Sequence, residues 1–169
     1  MGGCAPCHPA IDTIMTDVVA GPAGLVAVGW VIQDFLGSTW HSTDGSTWTY
    51  TGGFPANTVL TAVATNGKLY AAVGRDGERG TAWTSADGTT WARTTSSAAF
   101  AEQPVRLTSI VPWRGGFVAG GFRGKDFFSA DGTFWTSPDG LSWPASRTPR
   151  RWPMRESRPS PPAALVSSR

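Results

Sequence analysis

Three carboxylates of this 169-residue chain stand in one repeated phrase, Trp-x-Ser-x-Asp-Gly-x-x-Trp. Its copies are Trp40, Ser42, Asp44, Gly45 and Trp48; Trp83, Ser85, Asp87, Gly88 and Trp91; and Trp135, Ser137, Asp139, Gly140 and Trp143. Asp before Gly reads as a tight reversal. Gly accepts a positive φ, Asp accepts hydrogen bonds from backbone N–H groups, and the Ser hydroxyl stitches the turn to its strand. The chemistry on offer is hydrogen bonding inside a turn. A second set of residues suits recognition. Asp34, Asp76, Glu78 and Asp126 fall in loops that also carry Trp30, Phe35, Arg75, Arg79, Phe122, Arg123 and Lys125. Aromatic and basic groups on loops stack on and clamp sugars or peptides. The residue types differ from copy to copy, as ligand diversity and drift would each produce, and the bland reading is solvated loop charge.

Cys4, Cys7 and His8 spell C-x-x-C-H, the attachment signature of c-type haem. Only three residues precede it and a strand pattern follows almost at once, leaving no room for a cytochrome domain. A chance pair in a terminal extension is the favoured reading, and no cofactor is expected. No His, Cys or carboxylate set in the body has metal spacing, and the oxygen-ligand alternation of calcium loops is missing, so no metal is expected either. His41 fills the second position of the first phrase, where the other copies have Thr, and is expected to be an exposed strand residue.

The elements that hold these residues repeat as well. Residues 60–64 precede the Gly-bounded run 67–74, residues 107–111 precede 115–121, and 18–20 lead into 24–29. Each unit reads as four short strands separated by Gly, Asn and Asp turns, with no helical period. A Trp before each turn and another after it predict a cross-strand aromatic pair in each unit. The box aspartates lie 43 and then 52 positions apart, the longer interval arising from loop insertion. A four-stranded unit of this size matches one blade of a β-propeller. The expectation is an all-β chain: an N-terminal extension over 1–11, three antiparallel four-stranded blade-like repeats over 12–54, 55–99 and 100–146, and a Pro- and Arg-rich tail over 147–169 lacking strand periodicity.

The phrase resembles the Asp-box of the sialidase and BNR-repeat propellers, S-x-D-x-G-x-x-W, which occupies the turn between the third and fourth strands of a blade. It is also similar to the variant S-x-D-G-x-x-W of bacterial propeller-like proteins described as exo-sialidase-like. The present phrase has one residue fewer between Asp and Gly than the standard box. The resemblance covers about residues 12–149. It implies a propeller fold, and boxes that act as structural staples away from a catalytic face. Sialidases of this fold use three arginines to clamp a carboxylate, a Tyr nucleophile assisted by Glu, and an Asp acid/base. The body here offers Arg75, Arg79, Arg93, Arg106, Arg114 and Arg123, but none lies in a recognisable motif and the F/Y-R-I-P sequence is absent. Tyr50 and Tyr70 both read as structural. No catalytic residue is therefore assigned. A non-catalytic binding or structural scaffold is favoured, with a glycan or protein as candidate ligand, and a partial or degenerate sialidase-like glycoside hydrolase is the alternative.

Charge is unevenly distributed. Residues 1–146 carry 8 Lys plus Arg against 11 Asp plus Glu, whereas 147–169 carry six Arg against Glu156. The mildly acidic body gives no footprint for nucleic acid. No run of 18 apolar residues is present, so no membrane-spanning helix is expected. No secretory signal is visible in the first residues, although the resemblance would suit a secreted or cell-surface parent. Closed propellers have about 4–8 blades. Three units imply either a piece of a longer array, the favoured reading, or copies that self-associate to complete one.

Overall fold

The computed structural model describes residues 12–94, 98–101, 104–125 and 130–144. The expectations for 1–11 (with Cys4, Cys7 and His8), for Asp126 and for 147–169 lie outside the described residues.

The first sheet is an antiparallel meander of β1 (Thr13–Gly21), β2 (Gly24–Val31), β3 (Leu36–Ser42) and β4 (Thr49–Thr51). The second repeats it with β5 (Thr58–Thr65), β6 (Tyr70–Asp76), β7 (Arg79–Ser85) and β8 (Ala92–Arg93). The third contains β9 (Val105–Trp113), β10 (Gly116–Arg123) and β11 (Asp131–Ser137). A single turn of helix, α1 (Ala98–Ala101), lies between the second and third sheets and was not anticipated. The all-β expectation holds; among the described residues the third sheet has three strands, and the positions after 144, where a fourth would follow, lie outside them. The fourth strands are short, three residues in β4 and two in β8, so little ladder holds them. After the third phrase, Trp143 turns inward instead, its Nε1 donating to the Gly140 carbonyl at 3.0 Å.

The sheets stack face on face in chain order. Val26 and Val28 of the first meet Leu60, Val63, Tyr70 and Ala72 of the second. Ala62, Ala64, Ala71 and Val73, on the opposite face of the second sheet, meet Leu107, Ile110, Phe117 and Ala119 of the third. Side chains alternate between the faces of a strand, so a sheet buried on both faces needs an almost unbroken apolar run. The stretch Tyr70-Ala71-Ala72-Val73 supplies one, and all four are buried.

Each first strand carries a bulge at the same place, after Met15, Leu60 and Leu107. A bulge leaves one residue outside the ladder. In each case that residue is a Thr. The Thr16 hydroxyl donates to the Leu60 carbonyl of the next sheet at 2.9 Å, and Thr61 to the Leu107 carbonyl at 2.6 Å. Opposite the bulges stand Gly29, Gly74 and Gly121, where a Cβ would collide with the carbonyl oxygens of Ile14, Val59 and Arg106. Each of these contacts lies within one sheet, at the same register in all three.

The tryptophans pack differently from the expected pairs. Trp40 meets Tyr50, directly across from it in the β3–β4 ladder, edge-on at 5.8 Å. Phe54, from the connection ahead of β5, contacts Trp83 at 4.9 Å and Trp91 at 6.2 Å. Phe100 of α1 does the same for Trp135 and Trp143, at 6.1 and 5.9 Å. The two Trp of the second phrase and of the third thus hold a third ring between them. The short fourth strand leaves the second Trp outside the ladder, free to close over a phenylalanine. Edge-on aromatic contacts contribute about 0.5–1.5 kcal/mol each beyond area burial.

Candidate functional site

The three box turns are built alike. Asp44 Oδ1 accepts the N–H groups of Ser46 and Thr47, both at 2.7 Å. Asp87 Oδ1 accepts those of Thr89 and Thr90 at 2.8 and 2.7 Å, and Asp139 Oδ1 those of Leu141 and Ser142 at 2.8 and 2.7 Å. The hydroxyls of Ser42, Ser85 and Ser137 donate to the same carboxylates at 3.0–3.2 Å. Each also accepts the N–H of the box glycine, at 2.9, 2.8 and 2.8 Å. Gly45, Gly88 and Gly140 have φ of 74°, 75° and 76°, the left-handed region that favours glycine.

Hydrogen bonds to a charged carboxylate favour the charged form. The N–H groups of Thr47 and Ser46 hold Asp44 at about 2. Those of Thr90 and Thr89 lower Asp87 further. At Asp139 partial burial pulls the other way and is outweighed by the bonds from Ser142 and Leu141. The Oδ1 of each box aspartate is thus occupied within its own turn, a structural duty.

Strand direction puts the box turns at one end of every sheet, beside the β1–β2 turn. The loops from β2 to β3, β6 to β7 and β10 to β11 are at the opposite end. Trp30 is half-buried near the end of β2, and Asp34 and Phe35 are exposed in the loop that follows. Phe35 adopts a φ of 47°. Its ring meets the Arg75 guanidinium of the second sheet at 5.7 Å. Arg75 also donates from Nη1 to the Gly77 carbonyl at 3.1 Å. Burial, and after it the nearby positive charge of Arg106, lowers the Arg75 pKa. Asp76 pairs with Arg93 at 2.5 Å, and the same guanidinium lies 5.7 Å from the Trp83 ring centre. Arg79 is exposed at the start of β7, and the Glu78 carbonyl accepts the Val105 N–H of the third sheet at 3.1 Å.

In the third sheet Phe122 and Arg123 are half-buried and Lys125 is exposed. Arg123 lies 5.7 Å from the Trp135 ring centre and donates from Nη2 to the Ala99 carbonyl at 3.3 Å. The structure therefore joins Phe35 of the first sheet to Arg75 of the second along a rim at the loop end. Asp34, Arg79 and Lys125 are separate exposed charges on it. Among the described residues no three His, Cys, Asp or Glu side chains are grouped as metal ligands.

His41 departs from expectation. It is half-buried, and its Nε2 lies 2.7 Å from the Ala23 carbonyl oxygen. Tyr70 is structural, its hydroxyl accepting the Ala23 N–H at 3.0 Å and donating to the Gly24 carbonyl at 2.9 Å across the sheet boundary. Phe54 and Phe100 escaped sequence reading, and Arg93 was read only as one of six arginines outside any motif. Phe54 precedes Trp83 by 29 positions and Phe100 precedes Trp135 by 35, so no fixed spacing marks them. Arg93 has a weak signal, standing two places after the closing Trp of its phrase, as Tyr50 does in the first copy.

In comparison with known proteins, the chain matches no family model and no curated protein sequence.

Proposed function

We propose that the chain is a segment of an Asp-box propeller that serves as a non-catalytic recognition scaffold, with its ligand, a glycan or a protein segment, bound on the rim at the loop end. The observation that carries the reading is the division of labour between the two ends of the sheets. The repeated residues are spent on holding the turns, whereas the varying residues stand at the opposite end, Phe35 in a loop and Arg75, Asp76 and Arg79 on strand ends. Recognition residues placed on loops over a fixed scaffold are a common solution to binding. An exposed aromatic ring beside a guanidinium suits a sugar face with a neighbouring hydroxyl or carboxylate, or an aromatic or acidic peptide side chain.

A glycan and peptide array, run beside a fluorogenic sialoside assay, tests this. The expected result is binding lost in Phe35→Ala and Arg75→Ala, with no turnover. Turnover abolished by loop Arg substitutions would establish the hydrolase reading instead.

A further inference from the structure

The three sheets use the same two faces for their contacts. On the front, towards the preceding sheet, Leu60 and Val63 of the second sheet are 0% and 4% exposed, and their counterparts Leu107 and Ile110 of the third are 1% and 7% exposed. The counterparts in the first sheet, Met15 and Val18, are 60% and 56% exposed. On the back, Ala64 of the second sheet is 4% exposed, while its counterpart Val111 of the third is 54% exposed.

Two further features mark the back of the third sheet as half of the same joint. Thr16 and Thr61 donate across to the next sheet, whereas among the described residues the bulge Thr108 is bonded only within its own sheet, to the Gly120 carbonyl at 3.3 Å. Gly37 and Gly80 are the notches against which Phe54 and Phe100 pack, with a built Cβ 3.1 Å from Phe54 Cβ and 3.4 Å from Phe100 Cδ1. Among the described residues their counterpart Gly132 has no atom within 4 Å of its Cβ position. The chain makes this front-to-back joint twice internally, and carries one more front and one more back.

We propose that the back of the third sheet seats on the front of the first sheet of a second copy, so that two copies close head to tail into a ring of six sheets. Thr108 then donates to the Met15 carbonyl of the partner, as Thr16 does to Leu60 and Thr61 to Leu107. Val111 packs beside Val18. Six lies within the range of about 4–8 sheets in closed arrays of this type. A heterologous contact forms a closed ring only if its rotation closes, and otherwise a filament.

Sedimentation of the full chain tests the joint. The expected species has twice the 17.8 kDa chain mass. Val18→Asp spoils only the front and Val111→Asp only the back, each burying an unpaired charge at the joint. Both positions are exposed in the free chain, so the variants fold, as near-ultraviolet circular dichroism checks. Each alone is expected to raise the dimer dissociation constant at least tenfold. Mixed together they still share one intact joint and form a 1:1 dimer, and Thr108→Val weakens wild-type association about fivefold. A monomeric wild type overturns the proposal, as does a dimer that survives both substitutions. Failure of the mixed variants to pair overturns the head-to-tail geometry, and open-ended assemblies overturn the two-copy closure. Ligand binding at the rim is read separately, and its failure leaves this result standing.

Discussion

Removing the phenylalanine between two tryptophans is the sharpest test of how the sheets are joined. Phe54 is 5% exposed, 4.9 Å from Trp83 and 6.2 Å from Trp91. It also rests on the first sheet at Gly37, so it sits at a boundary between sheets. Phe54→Ala removes the ring and leaves a cavity whose walls are indole rings anchored on β7 and beside β8, which cannot collapse inward. Such truncations cost about 3–5 kcal/mol, a large share of a total stability of about 5–15 kcal/mol. Phe54→Leu keeps most of the volume and loses the edge-on ring contacts, for about 1–2 kcal/mol. Urea unfolding followed by Trp fluorescence, at one fixed chain concentration so that association contributes equally, measures both. With a slope of about 2 kcal/mol per molar urea, the midpoint should fall by about 1.5–2.5 M for Phe54→Ala and by less than about 1 M for Phe54→Leu. A Phe54→Leu cost near zero would show that ring contacts with the tryptophans contribute nothing, and equal costs for the two variants would show that the filled volume contributes nothing. A Phe54→Ala cost below about 1 kcal/mol would refute the wedge altogether.

Two further outcomes follow from the boxes. Gly88→Ala and Gly45→Ala impose the same positive-φ strain, but the added methyl at 88 would stand 2.6 Å from Val26 Cγ2, whereas at 45 the nearest atom is Leu25 Cδ1 at 3.5 Å. Thermal unfolding should show Gly88→Ala to be about 1–3 kcal/mol more costly, and equal costs would mean that the second box does not bear on the first sheet. The box carboxyls have folded pKa values below the ordinary 3.8: Asp44 is lowered to about 2, and Asp87 and Asp139 are shifted in the same direction. Their contribution is fully present above the unfolded value and is lost as pH falls through the folded values. Stability should hold down to about pH 4 and decline below it. An acid titration of Trp fluorescence in which the triple Asp→Asn variant declines as steeply as the wild type would contradict this.

The box was fully legible in the sequence because all its partners lie within six consecutive residues. Ser42 to Thr47 contains every donor and acceptor of the first turn, and the geometry recurs wherever the letters do. The rim was legible only as a set of loop residues. Phe35 and Arg75 are 40 positions apart, and their contact depends on how one sheet lies on the next. Thr61 and Thr108 were visible as repeated letters, but the bonds of Thr16 and Thr61 to carbonyls of the next sheet were not.

Local chemistry was thus set by sequence alone: the turns, the strand periods and the repeat that implies one construction used three times. Tertiary structure decided what each repeated residue experiences. Trp143 is 2% exposed and Trp48 is 36% exposed, though both close the same phrase. Trp143 packs against Phe100, whereas Trp48 belongs to the first sheet, whose front no described sheet covers. Burial is a property of the neighbour a residue receives, and a neighbouring sheet is not encoded within the phrase itself.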